Sequence, residues 1–144
     1  MLKGIPSVLP PELLKILMEM GHGDTIVIGD GNFPHAAMAK RLVRCDGNGV
    51  PKILDAILRL MPLDSYSDYQ AGLMEVVPGD PCKPVIWDEY REIISRHEPV
   101  NNKIEMIERF AFYERAKEAY AVVASSEMAL YANIILRKGV VTGE

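Results

Sequence analysis

The stretch Met20-Gly21-His22-Gly23-Asp24-Thr25-Ile26-Val27-Ile28-Gly29-Asp30-Gly31-Asn32-Phe33-Pro34 decides the fold. Thr25 to Ile28 form a short apolar or β-branched run between two polar, glycine-rich segments. With no polar alternation, such a run reads as a strand buried on both faces, over 25–29. Upstream, Leu13, Ile16, Leu17 and Met20 recur at helical spacing behind Pro11. Proline suits a first helical turn, where its missing N–H is no loss. The spacing predicts a helix over 11–20, closed by Gly21 in the left-handed conformation. A fold alone needs that one glycine and the apolar run. It does not need a histidine and two aspartates at the ends of the strand, so His22, Asp24 and Asp30 are the first functional candidates.

Working outward, helices and short strands alternate. Residues 34–41 are weakly helical, 42–44 form a short strand, and Asp46-Gly47-Asn48-Gly49 is a turn by its chemistry. Pro51 opens a helix over 51–61, with Ile53, Leu54, Ile57, Leu58 and Met61 on one face. A polar loop, 63–71, leads to a strand over 73–77, stopped by Pro78-Gly79-Asp80-Pro81. Helices over 84–96 and 107–118 follow, then strands over 120–125 and 133–137. In the 107–118 helix, Phe110 and Phe112 read as core aromatics and Arg115 as a solvated charge. The pattern implies a single α/β domain over 1–144, with helices on both faces of a short-stranded sheet.

Composition narrows the function. The net charge is −4 and no basic run occurs, so the electrostatic footprint of a nucleic-acid protein is missing. The acidic balance also disfavours anionic membranes, and no apolar run approaches the ~20 residues that span a bilayer. The first residues lack the basic and apolar regions of a leader. Cys45 and Cys82 are far apart in no metal-like spacing and read as free thiols in a reducing compartment. A cytoplasmic protein is expected. His22, His35 and His97 have no zinc spacing, Gly29-Asp30-Gly31 lacks the Lys-Ser/Thr of a phosphate loop, and no nucleophile elbow appears.

His22 lies between two glycines at a strand entrance, where a proton-transferring imidazole is the natural use. Asp30 follows the strand, where ligands bind in α/β sheets, and a carboxylate there accepts two sugar hydroxyls. It equally suits an Asx-turn or a helix cap. Asp24 suits a turn or an orienting partner for His22. Eight extended residues span about 26 Å, more than a monosaccharide bridges. Three readings of the His22–Asp30 pair stay open: a fold-back of the Gly-His-Gly segment, two separate pockets, or a pocket shared between subunits. Arg109 shares a helix face with Phe112, Tyr113 and Ala116. Tyr131 and Asn133, flanking Ala132, place a hydroxyl and an amide before the last strand.

The residues match a known family. Pro11-Glu12-Leu13-Leu14-Lys15, Glu19-Met20-Gly21-His22-Gly23-Asp24, Asp30, Phe33-Pro34 and Leu63-Asp64-Ser65-Tyr66 resemble the RbsD/FucU sugar pyranase and mutarotase family. Arg109-Phe110-Ala111-Phe112-Tyr113-Glu114-Arg115-Ala116 and Tyr131-Ala132-Asn133-Ile134-Ile135-Leu136-Arg137-Lys138-Gly139 resemble its L-fucose mutarotase branch. The resemblance implies an α/β subunit in a ring oligomer, commonly a decamer, with L-fucose or a related monosaccharide near subunit interfaces. It implies His22 as the proton-transferring residue and sugar contacts from Asp30, Arg109 and the segment Tyr131, Ala132, Asn133. Ala132 stands where the family usually has glycine, and its methyl is expected to bear on sugar preference.

Mutarotation exchanges α and β anomers through the open-chain aldehyde. The ring oxygen gains a proton while the anomeric hydroxyl loses one, so no cofactor or metal is expected. Tyr131 is a candidate second proton carrier. Competing readings are a D-ribose pyranase, a non-catalytic sugar-binding protein linked to transport, and a ligand-free scaffold. The last leaves the polar excess at 22–30 without a purpose.

Overall fold

The computed structural model describes residues 1–143. Its centre is one six-stranded sheet in the order β2-β5-β1-β6-β3-β4. The strands are β1 (Thr25–Gly29), β2 (Leu42–Arg44), β3 (Ala71–Met74), β4 (Ile104–Ile107), β5 (Ala121–Ala124) and β6 (Ile134–Arg137). β5 runs parallel to β1 and β2, and β4 runs parallel to β3. β6 is antiparallel to both neighbours, β1 and β3. Five strands therefore point one way and β6 alone points back. The carboxyl ends of β1, β3 and β4 gather with the amino end of β6 at one edge of the sheet.

Side-chain alternation along the strands divides the core in two. Ile26, Ile28, Ala121, Val123, Ile134, Leu136, Ala71 and Leu73 face one side. Val27, Val122, Ile135 and Met74 face the other. The first side is covered by α1 (Pro11–Glu19), α3 (Val50–Leu58) and α4 (Ile86–His97), through Leu13, Ile53, Leu54, Tyr90 and Ile94 among others. The second is covered by α5 (Arg109–Glu118), through Phe112 and Ala116, and by Phe33 and the one-turn α2 (His35–Met38). Burial on both faces is why Thr25 to Ile28 shows no polar alternation. Each fully buried isoleucine contributes about 1.5–3 kcal/mol relative to exposure.

The expected α/β layering is present, with several corrections. Gly21 is not left-handed. Met20 leaves α1 in an extended conformation, the Gly21 N–H donates to the Asp24 carboxylate at 2.8 Å, and the left-handed residue is Gly23, with φ 86°. α3 starts and stops earlier than 51–61. The strand expected over 73–77 is β3, Ala71–Met74, because the Gln70 and Ala71 N–H groups already bond the Lys103 carbonyl. Gly72 belongs inside it, since a Cβ there would lie 2.5 Å from the Ile107 side chain.

β4 is absent from the sequence reading. Ile104-Glu105-Met106-Ile107 is an edge strand whose Met106 is exposed, so it lacks the continuous apolar run of the central strands and merges with the following helix. Within α5, Phe112 is a core residue but Phe110 is exposed, contrary to expectation. Cys45 and Cys82 are free, with Cys45 buried. No helix among the described residues is long and apolar enough to cross a membrane.

Candidate active site

The strand ends at one edge enclose a cleft of about 250 Å³, lined by Asp30, Asn32, Phe33, Arg109, Tyr131 and Asn133, with Met74, Asp80 and Tyr113. Asp30 is the residue after β1. Its N–H donates to Asn133 Oδ1 at 2.7 Å. Its Oδ1 accepts the Asn32 N–H at 3.0 Å, the Asx-turn that the sequence left open. Its Oδ2 receives the Ala132 N–H at 3.4 Å. The turn and a ligand-facing role coexist, because a carboxylate has about four acceptor sites. Burial pushes the Asp30 carboxyl above its ordinary range, against the pull of the backbone N–H groups of Asn32, Ala132 and Phe33.

Asn133 spends its amide oxygen on the Asp30 N–H, which leaves the Nδ2 group as its donor towards the cleft. Arg109 opens α5 directly after β4. The Glu108 side chain caps that helix by accepting from the Phe110 and Ala111 N–H groups at 3.0 and 2.9 Å, which fixes where Arg109 begins. The Arg109 Nε–H donates to the Tyr113 hydroxyl at 3.4 Å.

Tyr131 holds φ 55°, the one non-glycine residue in the left-handed region among those described. Two α4 side chains clamp its segment. Trp87 Nε1–H donates to the Tyr131 carbonyl and the Tyr90 hydroxyl to the Ala132 carbonyl, both at 2.7 Å. Ala132 is fully buried in the core beneath α4. Its methyl therefore does not face the cleft, contrary to expectation, and its contribution is its N–H to Asp30.

His22 is elsewhere. It precedes β1, whereas Asp30 follows it, and the five-residue strand separates them by roughly 15 Å. The Gly-His-Gly segment does not fold back over the strand. The Gly23 N–H bonds the Lys138 carbonyl, beyond the end of β6, which pins the segment at the amino end of β1. There His22 Nε2 pairs with Asp64 Oδ1 at 2.8 Å, with its side chain 46% exposed. A carboxylate only accepts, so Nε2 carries the proton and Nδ1 is the atom left for chemistry.

Asp64 is buried and further held by the Tyr66 N–H at 3.0 Å and the Ser67 hydroxyl. Burial pushes its carboxyl up, but the bonds from Ser67, His22 and Tyr66 outweigh this and leave it below the ordinary range. Asp24 is the turn residue that accepts from Gly21 and does not orient His22.

The structure therefore brings Asp30, Arg109, Tyr131 and Asn133 together and leaves His22 at the far end. Sequence reasoning missed Asp64 and Ser67 as partners of His22, and Phe33, Asp80 and Tyr113 as walls of the cleft. Only proximity in the fold identifies them, although Asp64 stood in a segment already singled out. Among the described residues, no three His, Cys, Asp or Glu side chains converge as metal ligands.

The chain is similar to known proteins. The RbsD / FucU transport protein family model matches residues 3–141. A fucose mutarotase from Danio rerio is 50% identical over 149 residues, covering 99% of this chain and 96% of that protein. The crystal structure of a fucose mutarotase in complex with L-fucose from Streptococcus pneumoniae superposes with a TM-score of 0.94 at 55% identity, covering 98% of this chain and 100% of that one. Bacillus subtilis RbsD complexed with D-ribose shares the fold, with a TM-score of 0.73 at 22% identity over 99% of this chain and 100% of that one. On the family match and the extent of these likenesses, the chain belongs to the RbsD/FucU family.

Proposed function

We propose that this chain is an L-fucose mutarotase, a cofactor-independent isomerase, and that its working site joins His22 of one copy to the cleft of the next. The observation that carries the second half is the separation of His22 from Asp30 along β1, with both ends open. The first half rests on a cleft whose polar groups suit sugar hydroxyls, together with about 50% identity to fucose mutarotases over nearly the whole chain.

In this reading Asp30 accepts and Asn133 donates to sugar hydroxyls, and Arg109 fixes a further one. His22, held through Nε2 by Asp64, acts in its doubly protonated form: it gives the Nδ1 proton to the ring oxygen as the C1–O5 bond breaks, and keeps the Nε2 proton in its bond to Asp64. The anomeric hydroxyl loses its proton to a second carrier, the role assigned to Tyr131. Rotation about C1–C2 and the reverse transfers give the other anomer. A positioned acid–base group of this kind contributes about 10²–10⁴-fold.

A contact between the His22 end of one copy and the cleft end of another is head-to-tail. Such contacts close into a ring when the rotation between copies closes, and otherwise run on as a filament. A closed ring is the form this contact is expected to take, with a decamer as the count that the family resemblance implies, and native mass spectrometry reads that count.

Saturation-transfer NMR on L-fucose tests the activity. The wild type should accelerate anomer exchange, more for L-fucose than for D-ribose, and His22→Ala should lose most of the effect. Sugar binding without faster exchange would favour a transport-linked binding protein. Faster pyranose–furanose exchange of ribose would favour the pyranase.

A further inference from the structure

We propose that Asp80 is a positioning residue for the sugar reaction, holding the Tyr131 phenol as a proton relay at the mouth of the cleft; this rests on the mutarotase reading above. Asp80 lies in the Pro78-Gly79-Asp80-Pro81 turn, which the sequence marked only as the end of a strand. The Tyr131 hydroxyl donates to Asp80 Oδ2 at 2.5 Å. The Tyr131 hydroxyl oxygen itself accepts a long bond from the Val77 N–H at 3.4 Å. The turn is itself held by the Cys82 N–H, which donates to the other Asp80 oxygen at 2.9 Å.

A phenol has one proton and two lone pairs. With the proton on Asp80 and one lone pair towards Val77, the remaining lone pair is free to accept from a ligand in the cleft. Tyr131 is thereby set as an acceptor, the role that the anomeric hydroxyl requires. Its backbone adds a second observation. A non-glycine residue at φ 55° is strained, and such strain is retained where surrounding contacts over-determine it. Here Trp87 holds the carbonyl and Asp80 the hydroxyl. Packing alone does not call for a charged acceptor on an exposed turn.

The relay balances. On ring opening, the C1–O5 bond breaks, O5 takes a proton from His22, and C1=O1 forms as the O1 proton passes to the Tyr131 oxygen. The Tyr131 proton passes to Asp80. On closure, O5 attacks C1, its proton returns to His22, and Asp80 returns a proton through Tyr131 to O1. Nothing is consumed. The bond to Tyr131, then that from the Cys82 N–H, hold the Asp80 carboxyl below its usual range, while Asp80 raises Tyr131 above its own. The other titratable or charged groups around the pair are Arg109, Tyr113, Asp30 and Cys82.

The test is Asp80→Asn beside Tyr131→Phe and the double variant, with exchange kinetics by saturation-transfer NMR and Tyr131 titration by tyrosinate absorbance, taking Tyr131→Phe as the blank. Asp80→Asn should lower kcat about 10- to 100-fold, up to the lower end for a positioned acid–base group. KM should stay within about threefold, because the contact acts in the transition state. The alkaline limb of the rate and the Tyr131 titration should both move down towards the ordinary tyrosine value of about 10. The double variant should be no slower than Tyr131→Phe, and Asp80→Glu should recover part of the rate. Wild-type kcat and an unmoved Tyr131 titration in Asp80→Asn would overturn the proposal. No exchange by the wild type would overturn the mutarotase reading and this one with it. A folded Asp80→Asn protein that loses only sugar affinity would assign Asp80 to binding and overturn the relay.

Discussion

Gly29, the last residue of β1, is where the core meets the cleft. A Cβ placed there would lie 2.7 Å from both Cδ2 and Nε2 of His35 and 2.8 Å from Cδ1 of Phe33. Carbon atoms pack best at about 3.5–4.0 Å, so both rings must retreat by roughly 1 Å. His35 is buried, its Nε2 has no hydrogen-bond partner among the described residues, and its ring meets Phe33 edge-on at 5.6 Å. Phe33 in turn packs on Phe112 and Tyr113 at 6.0 and 5.9 Å.

Gly29→Ala should therefore cost about 1–3 kcal/mol, the range for over-packing. For a domain of this size that lowers Tm by roughly 2–4 °C per kcal/mol. Because Phe33 lines the cleft and Asp30 is the next residue, KM for the sugar should rise as well. Urea denaturation at fixed protein concentration measures the first effect and exchange kinetics the second. In a His35→Ala background the ring is gone, and Gly29→Ala should cost at least about 1 kcal/mol less, a coupling expected of residues in contact. A cost below about 0.5 kcal/mol in the wild-type background, or no coupling to His35, would refute the packing argument.

Two further outcomes follow from the site. Asn133→Ala removes the acceptor of the buried Asp30 N–H and should destabilise by about 1–3 kcal/mol, besides weakening sugar binding; a denaturation midpoint equal to the wild type would contradict this. Asp64→Asn removes the charge that holds His22, so exchange should slow without a matching change in KM. The carboxyl of Asp64 lies below its ordinary range when folded. Its contribution to stability is thus fully present above the unfolded value of about 3.9 and lost as pH falls through the lower folded value, and Asp64→Asn should flatten that part of the acid denaturation curve.

Much of the architecture was legible because burial leaves a mark on sequence. Thr25 to Ile28 is apolar throughout because both of its faces are covered. The face of α3 that contains Ile53, Leu54 and Ile57 repeats at helical spacing because only one side of the sheet receives it. β4 was illegible for the opposite reason, since an edge strand with Met106 exposed carries a mixed signal. Gly21 and Gly23 show the limit of local reading. Either glycine can take the left-handed turn, and the Asp24 carboxylate bonded to Gly21 settles the choice.

Asp30, Arg109, Tyr131 and Asn133 were legible as polar residues at element ends, which the carboxyl ends of β1 and β4 and the amino end of the antiparallel β6 then gather. Asp64 was not, because its bond to His22 crosses 42 positions of sequence. Ala132 is buried beneath α4, where the Tyr90 hydroxyl bonds its carbonyl, and no local pattern discloses that.

The central claim is that a working site takes His22 from one copy and Asp30 from another. Co-expressing and co-purifying His22→Ala and Asp30→Asn chains tests it, with L-fucose exchange read by saturation-transfer NMR. Each homogeneous variant should be nearly inactive. If sites form between copies, random mixing makes about a quarter of them intact, and the mixed oligomer should recover about a quarter of the wild-type rate. Mixed oligomers as inactive as their parents would contradict it.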